Sequence, residues 1–183
     1  MKIACIAWGS LIWNPGPLKL ASDWRPDGPL LPLEFVRDSD DSDELAIVLH
    51  EPAPLQPSWW ALLDTDDIEA AREMLRQREK IRPQYPECVG SIPHPHAPVD
   101  TRIAAWLAQM ADHVDAAVWT ALPPKFAGVS KRSPSAHEAV AFLDGLTGEQ
   151  RTNAENYVRQ IPKDIRTLYR ALFEERLGWT PRD

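Results

Sequence analysis

IACIAWGSLIWNPGPL, residues Ile3 to Leu18, is the stretch on which the reading of this chain turns. Ile3 to Trp8 is a short apolar run that reads as a buried strand, stopped by Gly9. The apolar character resumes at Leu11-Ile12-Trp13 and then breaks at Asn14-Pro15-Gly16. Pro15 at the first central position and Gly16 at the second predict a type II turn, in which glycine supplies the positive φ. The bare Gly9-Ser10 pair between two apolar pieces has two readings. It is a corner inside the core, or it keeps backbone N–H groups open to hold an anion or a carboxylate. No lysine follows at the place a phosphate loop requires, so that motif is excluded.

The rest of the composition narrows the class. The chain has 183 residues, which suits a single domain, 1–183, with a sizeable core. Twenty basic against 27 acidic residues give a net charge of −7, the opposite of a nucleic-acid footprint. No apolar run approaches the roughly 18 residues of a membrane span, and the N-terminus lacks the pattern of a signal peptide. Cys5 and Cys88 make no disulfide framework, so reduced thiols and a cytoplasmic location are expected. Eighteen prolines, about twice the usual share, lie between elements and imply fixed loops. Eight tryptophans argue against disorder. The oligomeric state is not encoded in any pattern here.

Further strands are expected at Leu30–Val36, Leu45–His50, Ser58–Leu63 and Ala116–Ala121. The acidic stretch Asp38 to Glu44 between two of them reads as a solvated hairpin loop. Asp64 is the expected N-cap of a helix running to about Lys80, with Asp66 and Asp67 in its first turn. Residues 82–98, RPQYPECVGSIPHPHAP, read as a long loop. Asp100 to about His113 reads as helix, with Ile103, Leu107 and Met110 on one side. LPPKFAGVSKRSP reads as loop, its KFAGVSKR portion a small solvated basic patch. Three helices follow. Ser135 and Glu138 have capping-box spacing, Thr147 and Gln150 repeat it, and Pro162 introduces Lys163–Leu177 with Gly178 as the stop. Strands early and helices late indicate an α+β fold with a largely antiparallel or mixed sheet.

The first long helix carries a carboxylate in an unexpected place. Turned at about 100° per residue, Ile68, Leu75 and Glu79 share a narrow sector, with Ala71 and Arg72 at its edges and Glu73 opposite. Glu79 therefore lies in line with the apolar stripe and at the negative end of the helix dipole. Both features disfavour its charge and are expected to raise its pKa, which suits a general base. The alternative is a plain salt bridge to Arg78, Lys80 or Arg82.

Together, WGSLIWNPG at Trp8 to Gly16 and LRQREK at Leu75 to Lys80 resemble the γ-glutamylcyclotransferase superfamily, its ChaC-like branch in particular. Members carry a Tyr-Gly-Ser-Leu loop after the first strand and, further on, a Glu in an Arg-Glu-Lys-like context. Trp8 stands here where the family has tyrosine. The resemblance implies a small, twisted, barrel-like mixed sheet with helices around it. It implies conversion of a γ-glutamyl compound to 5-oxoproline with release of an amine or amino acid, or of cysteinylglycine when glutathione is the substrate. The backbone of Trp8, Gly9, Ser10 and Leu11 would grip the γ-glutamyl group, and Glu79 would be the acid/base. The substrate's own α-amine is the nucleophile, so no metal or cofactor is required. The proline-rich stretch Ile81–Pro98 departs from the glutathione-degrading members, which leaves the γ-glutamyl compound open.

Other features carry less. His94 and His96 in PHPH have only Cys88 near a ligand spacing, which makes no metal set. Cys88 with His94 lacks the third group of a nucleophilic site. Trp59 and Trp60 alternate on a strand, so one is expected in the core and the other facing a cavity or an interface. The rival function is a non-catalytic module that binds a small ligand or a protein on the same fold. In the enzyme, Glu79 should lie near the Gly9-Ser10 amides. In the module it should be paired with Arg or Lys, or the space filled by Trp8 or Trp13.

Overall fold

The structure is a computed structural model that describes residues 1–39, 44–93 and 99–182. The chain forms two compact units, each assembled from two separated segments. The class is mixed α+β: two mixed sheets and five α-helices among the described residues, where a single sheet was expected.

The first unit comprises Met1–Leu30 and Pro57–Leu122. Its strands are β1 (Ile3–Ala7), β5 (Trp59–Leu62), β6 (Val89–Ile92) and β7 (Ala116–Thr120), in the order β5-β1-β7-β6. β1 runs antiparallel to β5 and parallel to β7, and β7 runs antiparallel to β6. All five residues of β1 are buried, which is why it reads as an unbroken apolar run rather than an alternating one. On one face Ile3, Cys5 and Ala7 join Leu63, Ala116, Val118 and Val89 in a core closed by Ile68, Ala71 and Leu75 of helix α1 (Ile68–Arg78). On the other, Trp60 meets Trp106 of α2 (Thr101–Gln109) edge to face, ring centroids 5.6 Å apart.

Several expectations are corrected in this unit. Asp67, not Asp64, caps α1, accepting from the amides of Glu69 and Ala70. The Asp64 amide is bonded instead to the Lys19 carbonyl, which holds that residue in the sheet margin. The stretch read as a long loop contains a 3-10 turn over Pro86–Cys88 and the edge strand β6. Arg72 explains why β6 is held. Its guanidinium donates to the Val89 carbonyl at 2.9 Å, to Ser91 Oγ at 2.6 Å and to the Pro86 carbonyl at 3.0 Å. α2 buries Ile103 and Trp106 and ends at Gln109, with Leu107 and Met110 only half-buried. The turn at Asn14-Pro15-Gly16 is shifted by one residue. Pro17 has no N–H with which to close on Asn14, so the Leu18 amide closes on the Pro15 carbonyl at 3.2 Å and Gly16, at φ +59°, takes the first central position. His94 and His96 lie outside the described residues.

The second unit comprises Leu31–Gln56 and Pro123–Asp183. Here β2 (Leu31–Asp38) pairs antiparallel with β3 (Leu45–Leu49) and with β4 (Leu55–Gln56), and parallel with β8 (Lys125–Phe126), which forms a hairpin with β9 (Val129–Ser130). The short strands β4, β8 and β9 were not foreseen. The centre of the acidic stretch lies outside the described residues, but Asp38 is not solvated. It is ion-paired with Lys125 at 3.4 Å and accepts the Ala127 amide at 2.7 Å. The KFAGVSKR patch is thus partly strand, and Arg132 stacks on Phe126. Phe35 of β2 packs edge to face on Tyr157 of α4 (Gly148–Gln160) and Phe173 of α5 (Leu168–Leu177).

The capping box at α3 (Ala136–Asp144) is formed as expected between Ser135 and Glu138. The one at α4 is not: Thr147 makes no side-chain cap bond. Gly148, at φ +56°, turns the first residue of that helix out of helical geometry, so the reciprocal bonds cannot align. α5 begins at Leu168 rather than Lys163. The carbonyls of Pro162 and Ile165, which a helix from Lys163 would enlist, accept instead from the buried Arg170 at 2.7 Å each. Thr167 supplies its cap, and Gly178 ends it.

Candidate functional site

Glu79 and the Gly9-Ser10 loop belong to the same unit, and the structure brings them together. Glu79 is the C-cap of α1. The helix closes in a Schellman arrangement: the Lys80 amide bonds the Gln77 carbonyl at 3.1 Å and the Ile81 amide bonds the Arg76 carbonyl at 3.0 Å. Ile81 then joins Leu75 in the core, the hydrophobic contact that accompanies such an end. Lys80 takes the left-handed position, φ +53°, that glycine usually fills. The turn at which Glu79 sits is therefore specified by backbone bonds on both sides and by an apolar anchor. Its side chain is 16% exposed.

Arg78 connects this turn to the loop after β1. Its Nη2 donates to Ser10 Oγ at 2.9 Å and to the Asn14 carbonyl at 2.8 Å, its Nε donates to the same carbonyl at 3.1 Å, and its Nη1 lies 3.1 Å from Glu79 Oε1. One planar guanidinium thus separates Ser10 Oγ from the Glu79 carboxylate, a use of its fork that lysine could not reproduce. Arg78 appeared in the sequence only as one of three salt-bridge partners. Nothing local marks it as the link, because Ser10 and Asn14 are 68 and 64 residues away.

The loop itself is a single helical turn. The Ile12 amide bonds the Gly9 carbonyl at 3.0 Å and the Asn14 amide bonds the Ser10 carbonyl at 2.8 Å. Among the described residues, the amides of Gly9, Ser10 and Leu11 donate to no protein acceptor. Successive N–H groups of this kind form an anion-binding concavity. Trp8 is buried just beyond β1, Leu11 is in the core beneath α1, and Gly9, Ser10 and Trp13 are half-buried. Of the expected residues, Gly9 and Ser10 are therefore at the partly open side of the loop, whereas the Trp8 and Leu11 side chains serve its packing.

The charge of Glu79 reaches into the sheet. The Cys5 thiol on β1 is pushed up to about 12, first by burial and then by the Glu79 carboxylate, with Arg78 opposing. A thiol in that state is inert, so Cys5 offers no nucleophile.

Two polar groups on the α1-facing side of the sheet were missed. Trp59 Nε1 and Thr120 Oγ1 are buried without a hydrogen-bond partner among the described residues. Leaving such a group unsatisfied costs about 1–3 kcal/mol. By contrast Trp60, the core member of the pair, donates its Nε1 to Asp27 Oδ1 at 2.7 Å. The signal in the sequence was the Trp-Trp alternation. Which ring would lack a partner was not legible there.

A shallow depression of about 420 Å³ lies elsewhere in this unit, lined by residues such as Lys2, Leu62, Asp64 and Asp66. It contains none of the groups above. No helix of the described residues is long and apolar enough to cross a membrane. Compared with known proteins, the chain matches no family model, no curated protein and no solved structure.

Proposed function

We propose that this protein is a γ-glutamylcyclotransferase-like enzyme of the ChaC-like type, which closes a γ-glutamyl amide or peptide to 5-oxoproline and releases an amine or amino acid. The observation that carries the reading is the Ser10–Arg78–Glu79 connection, in which one guanidinium links the carboxylate to the loop after β1. In the reaction the substrate's α-ammonium gives a proton to Glu79, and the amine attacks its own γ-carbonyl carbon. A new C–N bond closes the ring. The tetrahedral intermediate then loses the original amide nitrogen, which takes a proton back from Glu79 and the surplus proton of the ring nitrogen and departs as an ammonium. The Gly9, Ser10 and Leu11 amides fix the substrate and stabilise the developing oxyanion. Because the attack is intramolecular, the protein needs no nucleophile of its own.

The test is release of 5-oxoproline from a panel of γ-glutamyl amines and peptides. Wild-type protein should turn over at least one of them. Glu79→Gln should lower the rate by about 10²–10⁴-fold with an unchanged circular-dichroism spectrum. Undiminished turnover in that variant would remove Glu79 from the mechanism. A second reading, a binding module without catalysis, is favoured by the same Glu79–Arg78 ion pair, since such pairs are also purely structural. It requires that no panel member yield 5-oxoproline while at least one binds.

A further inference from the structure

The chain that leaves α1 is basic where the protein as a whole is acidic. Residues 76–82 read RQREKIR, four basic side chains against the single acid Glu79, in a chain whose net charge is −7. Two of the four are committed to the fold. Arg76 donates to both carboxylate oxygens of Glu73 and to the Ile81 carbonyl, and Arg78 holds Ser10, Asn14 and Glu79. The other two, Lys80 and Arg82, are exposed and flank Ile81, whose side chain is buried. Among the described residues the Arg82 guanidinium makes no hydrogen bond or ion pair.

Lys80 also goes against the preference of the backbone. At φ +53° it fills the left-handed position after the helix, where a side chain is strained and glycine is not. Glycine would close the same Schellman turn, so the turn itself does not call for lysine. Strained positions of this kind cluster where a side chain serves a site. Such a site is adjacent. In the proposed reaction Glu79 returns a proton to the leaving nitrogen, so the leaving group departs beside the residues that follow Glu79. When that group is an amino acid, its carboxylate is one carbon away from the nitrogen. It then meets the like charge of Glu79 at close range, and only neighbouring cations offset the repulsion. An amine leaving group brings no such charge.

We infer that Lys80 and Arg82 receive the carboxylate of the leaving group and make the protein select γ-glutamyl amino acids over γ-glutamyl amines. The inference rests on the cyclotransferase reading. A γ-glutamyl amino acid carries one more negative charge than a γ-glutamyl amine, and a basic segment in an acidic chain draws in the more anionic of the two. Both side chains are exposed, so water and salt screen them, and each contributes a modest factor.

The experiment uses the full chain carrying Glu79→Gln, which removes the proton transfer, and calorimetric titration with γ-L-glutamyl-L-alanine and with γ-L-glutamylethylamide. At low salt the dipeptide should bind about fivefold more tightly than the ethylamide, and about 0.5 M sodium chloride should bring the two within about twofold. Adding Arg82→Gln or Lys80→Gly should each weaken the dipeptide about threefold, both together about tenfold, and the ethylamide less than about twofold. Glycine suits the turn at residue 80, so that variant keeps the fold. Equal binding of the two ligands, an equal loss for both in the variants, a preference that survives the double variant, or no binding of either compound overturns the inference. Should the dipeptide-selective loss be found while wild-type protein releases 5-oxoproline from neither compound, the carboxylate-receiving pair stands and the cyclotransferase reading falls. Release of 5-oxoproline by wild-type protein without that selective loss leaves the cyclotransferase reading standing and removes the pair.

Discussion

Arg78 donates to Ser10 Oγ across 2.9 Å, joining the last turn of α1 to the loop that follows β1. The same guanidinium is 3.1 Å from Glu79 and takes the Asn14 carbonyl through two further bonds. The loop and the acid are thus linked directly through one guanidinium.

Arg78→Met should therefore loosen the loop as well as unpair the acid. The expected cost is about 1–3 kcal/mol in urea unfolding, together with a tenfold or greater fall in kcat/KM for 5-oxoproline release. Arg78→Lys should recover little of it, because an ammonium cannot span Ser10, Asn14 and Glu79 at once. Wild-type kinetics in Arg78→Met would show that the loop holds its shape without the latch.

Gly90 faces Trp119 across the β6–β7 pair, and a Cβ there would come within 2.1 Å of the indole Cε2. Trp119 is itself buried and cannot swing away. Gly90→Ala should cost about 1–3 kcal/mol by overpacking. A denaturation midpoint equal to wild type would contradict the close packing of these strands.

Glu34 in the second unit is 2% exposed and accepts the Phe35 and Tyr169 amides. Burial raises its carboxyl above 4.5, against the hydrogen bonds of Thr167, Phe35, Tyr169 and Leu168, which pull it down. Between 4.5 and the raised value the folded chain binds more proton than the unfolded chain. This group's contribution is thus most favourable below pH 4.5 and declines as the pH rises through that window. Glu34→Gln retains an acceptor and no longer titrates. Unfolding free energies measured from pH 4.5 to about 7 should show less decline with pH than in wild type. Parallel curves would exclude Glu34 as the source.

The two capping boxes that look alike in sequence should behave differently. Ser135→Ala removes a formed cap and should cost about 1 kcal/mol. Thr147→Ala removes no cap bond and should stay within about 0.5 kcal/mol of wild type. Equal losses would mean that Thr147 caps α4 in solution.

Where the signal was local, the fold was legible. β1 declared itself by an apolar run ended by glycine, Ser135 by its spacing to Glu138, and the end of α5 by Gly178. The side of α1 that is buried followed from Ile68 and Leu75, and with it the unusual position of Glu79. What misled were sites with several competent residues. Asp64, Asp66 and Asp67 can each cap a helix, and the bond from the Asp64 amide to Lys19 decides among them. Pro162 can open a helix, but Arg170 takes the carbonyls that the helix would need. β4, β8 and β9 have two residues each, too few for any period to show.

By itself, then, the sequence determined the pieces: a first strand stopped by glycine, a helix with an acid in line with its apolar stripe, and a mixed α+β class. Those follow from spacing within a few residues, where 3.6-residue and 2-residue periods act. Only the tertiary structure decided that Arg78 spans from acid to loop, that Arg72 holds β6, and that Trp59 pairs with Ala7 while its indole N–H finds no partner among the described residues. Those relations join residues tens of positions apart. Hydrogen bonding across such distances depends on how strands register and where helices stop, and no local pattern encodes it.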